Sequence, residues 1–332
     1  MLQKAYDITA IGELLIDFTP AGKNAQGSSL FAANPGGAPG NVLALASKLG
    51  LKTALIAKVG EDQFGTYLEG VLDGVGVDKK GLVRTADANT TLAFVHLNES
   101  GDRSFNFYRK PGADMLLAVD DLDARMLEST RIFHFGSVSM TGGPSRETTL
   151  KAVEAAKKSG ALVSFDPNLR PPLWTSLDEA KIQIVKGLGY ADILKVSEEE
   201  LEFITGEGGL ESGSKLLAEK YGIPLILVTL GPKGCFYKYG DLTGSTPAYK
   251  VKTLDTTGAG DAFLGAFLYK VARRGCSLAG ITPEEMEGMA AFANAAGSLA
   301  TSVMGAIPAM PTLEEIEGCV RGNILLQEER HG

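Results

Sequence analysis

The sequence predicts an α/β protein built on a mostly parallel central sheet flanked by helices, with a small β lid. Three observations carry that reading. Short apolar, β-capable runs alternate with helical patterns along most of the chain, the rhythm of βαβ units. The rhythm breaks once, over residues 89–112, where two alternating runs either side of a turn form a hairpin. Two glycine-rich turns, at 34–41 and 255–261, each open an apolar helix. The 332 residues, 44% hydrophobic and 22% charged, have ordinary globular composition and enough length for a large core. No internal repeat, low-complexity tract or linker divides them. Residues 1–332 therefore read as one domain, with a lid drawn from about 13–34 and 89–112.

Residues 8–16 are mostly apolar and form a buried first strand that ends at Asp17. A carboxylate at the end of such a strand stands where open α/β sheets place ligand contacts. Asp17 is thus a candidate for hydroxyl binding, the alternative being a solvated turn acid before Pro20. Residues 34–41, Asn-Pro-Gly-Gly-Ala-Pro-Gly-Asn, form a rigid, close-approach turn. Gly36 and Gly37 let backbone amides approach a ligand, and Asn41 offers both donor and acceptor. Asn41 starts an Ala-rich helix closing at Gly50, and a place near the cap explains it equally well. Residues 53–59 read as a strand and 62–72 as a helix ending at Gly74.

The hairpin follows: strand 90–97, turn 98–101, strand 104–109. It either extends the sheet or closes as a lid that excludes water, with Phe107, Tyr108 and Arg109 at its tip or inner face. Residues 131–135 form a strand, 145–158 a helix, and 161–165 a strand running into Asp166-Pro-Asn-Leu-Arg170. Arg170, just past a strand's C-terminal end, suits a phosphate, a sugar or a salt bridge to a neighbouring acid. Strand 192–196 leads into Ser197-Glu-Glu-Glu200 and a helix to Thr205. Acids at a helix start complement its dipole, and a glutamate there could also hold Mg²⁺ through water. Strand 224–230, turn 231–234 and a return strand 235–239 come next. Residues 284–302 form a long Ala-rich helix carrying Asn294, and Pro311-Thr312 opens a last amphipathic helix.

The chemistry concentrates at Asp255-Thr-Thr-Gly-Ala-Gly-Asp261. Gly258, Ala259 and Gly260 lie at a helix N-terminus, where unpaired N–H groups and the helix dipole attract an anion. Asp261 stands in the first turn beside them. A carboxylate next to an anion hole suits proton abstraction from an attacking hydroxyl while the amides stabilise a transferring phosphoryl group. Alone, Asp261 could merely complement the dipole.

Other chemistries are disfavoured. A net charge of −8 argues against a duplex nucleic-acid partner. Three scattered cysteines make neither a disulfide framework nor a CxxC pair, and three scattered histidines suggest no zinc site. There is no GxxxxGK[ST] and no GxGxxG after the first strand. No apolar run has the length of a membrane span, and Met1 to Asp7 carries no signal-peptide features, so a cytoplasmic protein is expected.

With both glycine-rich stretches in view, the chain resembles the ribokinase-like carbohydrate kinases of the PfkB family. Gly36-Gly-Ala-Pro-Gly-Asn41 matches the family's N-terminal signature and Asp255-Thr-Thr-Gly-Ala-Gly-Asp261 its C-terminal one, over essentially the whole chain. The resemblance implies a ribokinase-like three-layer sandwich. It implies Asp261 as catalytic base, with Gly258, Ala259 and Gly260 as the anion hole, and Asp17, Gly36, Gly37 and Asn41 as sugar contacts. Thr229, Gly231 and Gly234 match the ATP loop, and Asn294 a position near the adenine. Asp255, Thr257, Ala300, Val303 and Gly305 match positions around a monovalent cation, usually potassium. The family's Asn-x-x-Glu element reads Ser197-x-x-Glu200 here, so only Glu200 carries over, toward Mg²⁺.

The segments 102–109, 113–117, 166–170 and 195–203 most resemble the bacterial fructokinases, and place Phe107 with the sugar and Lys195 with ATP. The 2-keto-3-deoxygluconate kinases carry similar elements, in which Arg109 or Arg170 would meet the substrate's carboxylate or the nucleotide phosphate. The expected activity is phosphorylation of fructose by ATP with Mg²⁺ and K⁺, in a homodimer paired through its lids. A kinase for another sugar and a non-catalytic sugar-binding protein are the alternatives. The intact Gly-Ala-Gly-Asp speaks against the last.

Overall fold

The computed structural model of the protein describes residues 4–97 and 103–322. In chain order its elements are β1 (Tyr6–Ile11), β2 (Leu15–Lys23), β3 (Ser29–Gly36), α1 (Ala38–Lys48), β4 (Thr53–Gly60), α2 (Gln63–Val75), β5 (Val77–Thr85), β6 (Leu92–Leu97) and β7 (Arg103–Tyr108). Then come α3 (Ala124–Glu128), β8 (Thr130–Gly136), α4 (Gly143–Lys158), β9 (Leu162–Asp166), α5 (Leu177–Leu188), β10 (Ile193–Ser197), α6 (Glu198–Thr205) and α7 (Leu210–Tyr221). The chain continues through β11 (Leu225–Thr229), β12 (Cys235–Tyr239), β13 (Leu242–Thr246), α8 (Ala259–Arg273), α9 (Pro283–Ala300) and α10 (Leu313–Gly322).

Nine of the described strands form one sheet in the order β13-β12-β11-β10-β9-β8-β1-β4-β5, parallel except that β12 runs antiparallel to both β11 and β13. Helices cover both faces, so its strands read as nearly unbroken apolar runs, as in β4. One core lies between the sheet and α1, α2, α8, α9 and α10, and the other between it and α3 to α7. Together they give the three layers expected of a ribokinase-like sandwich. Chain order runs outward in both directions from β1, which pairs with β4 on one side and β8 on the other. Such a switch point opens a crevice beyond the strands' C-terminal ends. The remaining strands form the lid, a separate four-stranded sheet in the order β3-β2-β6-β7.

The first strand is a correction. Residues 8–16 do not run on as one strand: the chain leaves the central sheet after Ile11 and enters the lid at Leu15. The N-terminus of α1 packs on the break, where a Cβ on Gly12 would come 2.6 Å from Pro39 Cγ. Asp17 therefore lies within a lid strand. Asn41 does not start its helix, which begins three residues earlier at Ala38. The expected turn 98–101 lies outside the described residues. β5 is an edge strand with Lys79 and Lys80 along it, and that charge hides it from a hydrophobic pattern.

Caps follow local sequence. Ser197 and Glu200 close a capping box at α6, and Thr282 and Glu285 another at α9 with Pro283 just inside. Among the described residues no helix is long and apolar enough to cross a membrane.

Candidate active site

Two cavities open beyond the C-terminal ends of the central strands. One, of about 710 Å³, lies under the lid and is lined by Asp17, Gly37, Asn41, Phe107, Arg170 and Asp261. The other, of about 600 Å³, is lined by Thr229, Gly231, Gly234, Phe263 and Asn294. They meet at Ser197, Glu199, Thr256 and Gly260, so the start of α8 stands between them.

Gly258 takes the left-handed conformation (φ +75°) that turns the chain into α8, which glycine adopts without strain. A Cβ on Gly260 would come 3.1 Å from the Lys195 ammonium, a tight approach that the bare glycine avoids. Asp261 is 8% exposed, and its Oδ2 accepts a hydrogen bond from Asn41 Nδ2 at 2.8 Å. The Asn41 amide oxygen, Oδ1, is buried and has no hydrogen-bond partner among the described residues. Burial pushes the Asp261 carboxyl up to about 6. The Asn41 bond, Lys195 and Arg170 hold it down, and Asp166 raises it further.

Lys195 is buried against Asp166, Nζ to Oδ2 2.9 Å. Burial disfavours its charge, but Asp166, Glu200 and Asp261 outweigh that and hold the ammonium above its usual range. The Arg170 side chain lines the first cavity and donates to the Leu169 carbonyl at 3.2 Å. Asp17 lies directly over Gly36, where any Cβ would strike its Oδ2. Burial raises the Asp17 carboxyl to about 7, with Arg170 opposing and Asp261 and Asp255 adding to the rise.

Arg109 is a correction. It does not line either cavity. Its Nε and Nη2 bond Asp114 at 2.8 and 2.7 Å, Nη1 bonds Thr141 Oγ1 at 2.6 Å, and Nη2 also reaches the Val138 carbonyl at 3.1 Å. A guanidinium buried this way holds the lid's end to the core. Its neighbour Phe107 does line the first cavity.

In the second cavity, Thr229 ends β11 with its hydroxyl on the Val196 carbonyl at 3.3 Å. Gly234 (φ +99°) leaves no room for a Cβ beside the Thr246 carbonyl. Asn294 Nδ2 donates to the Thr246 and Pro247 carbonyls at 2.8 and 3.2 Å, fixing the wall that follows β13.

Both Glu200 oxygens already accept backbone N–H groups, from Leu169 at 2.6 Å and Ser197 at 2.8 Å. A carboxylate has further lone pairs, so contact with hydrated Mg²⁺ through water fits. Asp255 gathers the segments that the resemblance sets around a monovalent cation. Its Oδ1 accepts from Thr257 N and Oγ1, and its Oδ2 from Gly305 N at 3.0 Å. Leu254 N and Asp255 N both bond the Thr301 carbonyl. This places 255–257 against 300–305, where Ala300, Val303 and Gly305 can offer only backbone oxygens, donors that suit a hard cation.

Glu13 and Asp166 are residues that sequence reasoning missed. Asp166 is hidden in a turn motif, and its partner Lys195 is the signal that it matters. Glu13 looks like an interruption in an apolar run.

Ionisation of Asp261 sets a testable profile. Below about pH 6 the carboxylate holds its proton and cannot take another. The acid limb of kcat/KM should then fall with an apparent pKa near 6, some two units above a free aspartate at roughly 3.9. Because the Asn41 bond holds that value down, Asn41→Ala should move the limb to higher pH. A limb near 4 in both proteins would refute the assignment.

Comparison with known proteins gives one consistent result. The model of the pfkB family carbohydrate kinases matches residues 6–313. Fructokinase-1 of Zea mays is 44% identical over 311 residues, covering 93% of this chain and 96% of that protein. The ATP-bound fructokinase of Xylella fastidiosa superposes with a TM-score of 0.88 at 34% identity, covering 96% of this chain and 99% of that one. A double mutant of the Vibrio cholerae O395 fructokinase, with fructose, ADP and potassium ion bound, gives 0.85 at 32% identity, covering 96% of this chain and 100% of that one.

Proposed function

The chain belongs to the pfkB family of carbohydrate kinases, and from that premise we infer that it transfers the γ-phosphate of ATP to the primary hydroxyl of fructose, giving fructose 6-phosphate. One observation carries the site assignment: Asp261 and the N-terminus of α8 stand where the lid-covered cavity meets the second one. Fructose fills the first, with Asp17, the 36–37 turn, Asn41 and Phe107 around it. ATP fills the second, its adenine end toward Asn294 and its phosphates toward Gly231, Gly234, Lys195 and the α8 amides.

Asp261 takes the proton from the attacking hydroxyl. The amides of Gly258, Ala259 and Gly260 meet the charge that develops on the transferring group. Lys195 and Arg170 add fixed positive charge on either side, and the lid excludes water that would otherwise accept the phosphoryl group. Glu200 would hold Mg²⁺ through water, which would supply neutralisation of phosphate charge, and the backbone oxygens of 255–257 and 300–305 would hold K⁺ beside the start of α8.

The two sheets work as one kinase domain. Leu30, Phe31 and Tyr108 are exposed on the lid, beside a run of rings in which Phe94 meets Phe31 and Tyr108 at 5.5 and 5.4 Å. Such an apolar face supports pairing with a second lid, hence a homodimer. The use of ATP supports a cytoplasmic location.

The deciding measurement is ADP release from Mg-ATP, with and without K⁺, across fructose, ribose, tagatose and 2-keto-3-deoxygluconate. Fructose should give the highest kcat/KM, and removing K⁺ should lower it. Preference for the keto acid would keep the mechanism and hand its carboxylate to Arg170. Sugar binding without turnover would sink the kinase reading.

A further inference from the structure

The junction between β1 and β2 supplies a group that the reaction as described leaves unused. Helix α1 begins after Gly37, which gives it no side-chain cap. The usual serine or aspartate is shut out there, because φ is +110° and a Cβ would run into the Glu13 carbonyl. Pro39 has no N–H to satisfy. The Ala38 N–H must find its acceptor elsewhere, and Glu13 Oε1 takes it at 3.0 Å from 25 residues away. Glu13 is 4% exposed and lines the same cavity as Asn41 and Asp261. Asn41 follows within the first turn, its own N–H on the Gly37 carbonyl at 3.0 Å and its side chain on Asp261.

We infer that Glu13 is a positioning residue for phosphoryl transfer: it caps α1 from the β1–β2 junction and so sets Asn41 against Asp261. The inference rests on Asp261 being the base. The cap needs reach and an acceptor more than it needs charge. Burial pushes the Glu13 carboxyl up to about 7, with its own and the Ala38 amide and Arg109 favouring the ion and Asp114 opposing it. Much of it is therefore uncharged near neutral pH and still accepts through its carbonyl oxygen. Reacting groups tolerate little displacement, so loosening this turn should show in kcat.

The test compares Glu13→Gln, Glu13→Asp and Glu13→Ala by kcat, KM and melting temperature with fructose and Mg-ATP. Gln keeps reach and acceptor and should hold kcat within about threefold of the parent. Asp keeps the carboxyl group but is one methylene short, and with Ala it should lose on the order of tenfold or more in kcat, while KM for ATP changes less than twofold. In an Asn41→Ala background, Glu13→Ala should cost little further, because both act through one contact. Unchanged kcat in Asp and Ala, Gln as damaged as Ala, or losses that multiply in the double variant would overturn the inference. A purely structural role would lower the melting temperature and leave kcat per folded enzyme intact. If Ala does not fold, the contrast of Gln with Asp decides. Asp261→Asn assayed alongside separates the two readings: if it retains turnover, the base assignment falls, and if it is dead while Glu13→Asp is normal, only the role of Glu13 falls.

Discussion

Asp261→Asn should lower kcat by about 10²–10⁴-fold, the range that a positioned general base contributes, while fructose still binds. The amide keeps an oxygen to accept the Asn41 hydrogen bond seen at 2.8 Å, so the cavity wall survives and only proton abstraction is lost. The same change should stabilise the protein at alkaline pH. Asp261 has its folded pKa raised to about 6, against roughly 3.9 unfolded. The folded state thus holds this proton more tightly, and the group costs stability increasingly as pH rises from about 4 through 6, then by a constant amount. Two units at about 1.4 kcal/mol each make that cost on the order of 3 kcal/mol. The variant should therefore melt higher than the parent at pH 8 and close to it at pH 4. Near-normal kcat would remove the base assignment, and no gain in melting temperature at pH 8 would show that the carboxylate is not strained by burial.

The second large effect is on folding. Arg109→Met should cost about 3–5 kcal/mol, because it leaves Asp114 charged and buried without its partner. The Asp114 side chain is 1% exposed, and its only other side-chain donor is Thr91 Oγ1 at 2.6 Å among the described residues. Replacing both, Arg109→Met with Asp114→Leu, should recover most of that loss, since a buried pair is often dispensable when both charges go. Urea unfolding of the two variants measures both quantities. The fraction that folds should keep its KM for fructose. A normally stable Arg109→Met with a raised KM for fructose would return Arg109 to the sugar site.

These predictions differ in how far the sequence reaches them. The approach to Asp261 is local. A glycine that must turn left-handed, small residues at the N-terminus of α8 and an acid in its first turn all lie within four positions, 258–261. Backbone geometry over so short a span follows from residue type, so the turn, the helix start and the carboxylate beside it are legible without a fold. The same holds for the capping boxes of α6 and α9 and for the alternation that marks β6 and β7. Arg109 shows where such reading stops. Its neighbours in sequence point to a ligand contact, yet packing against Asp114, Thr141 and Val138 turns the side chain away from both cavities. Glu13 errs in the other direction, a charge within an apolar run whose partner is an amide 25 residues on.

By itself, the sequence determined the α/β class, the antiparallel hairpin of β6 and β7 that breaks its rhythm and the two glycine-rich turns that open helices. It could do so because periodicity and turn residues report which face is buried and where the backbone must bend. Only the tertiary structure decided that β1 hands the chain to the lid at Gly12, that Asn41 grips Asp261 across 220 residues and that Arg109 is buried against Asp114. Each of these depends on which distant group faces a side chain once the layers close. Spacing along the chain carries no record of that, because a charged residue's direction is set by whichever partner repays its loss of water.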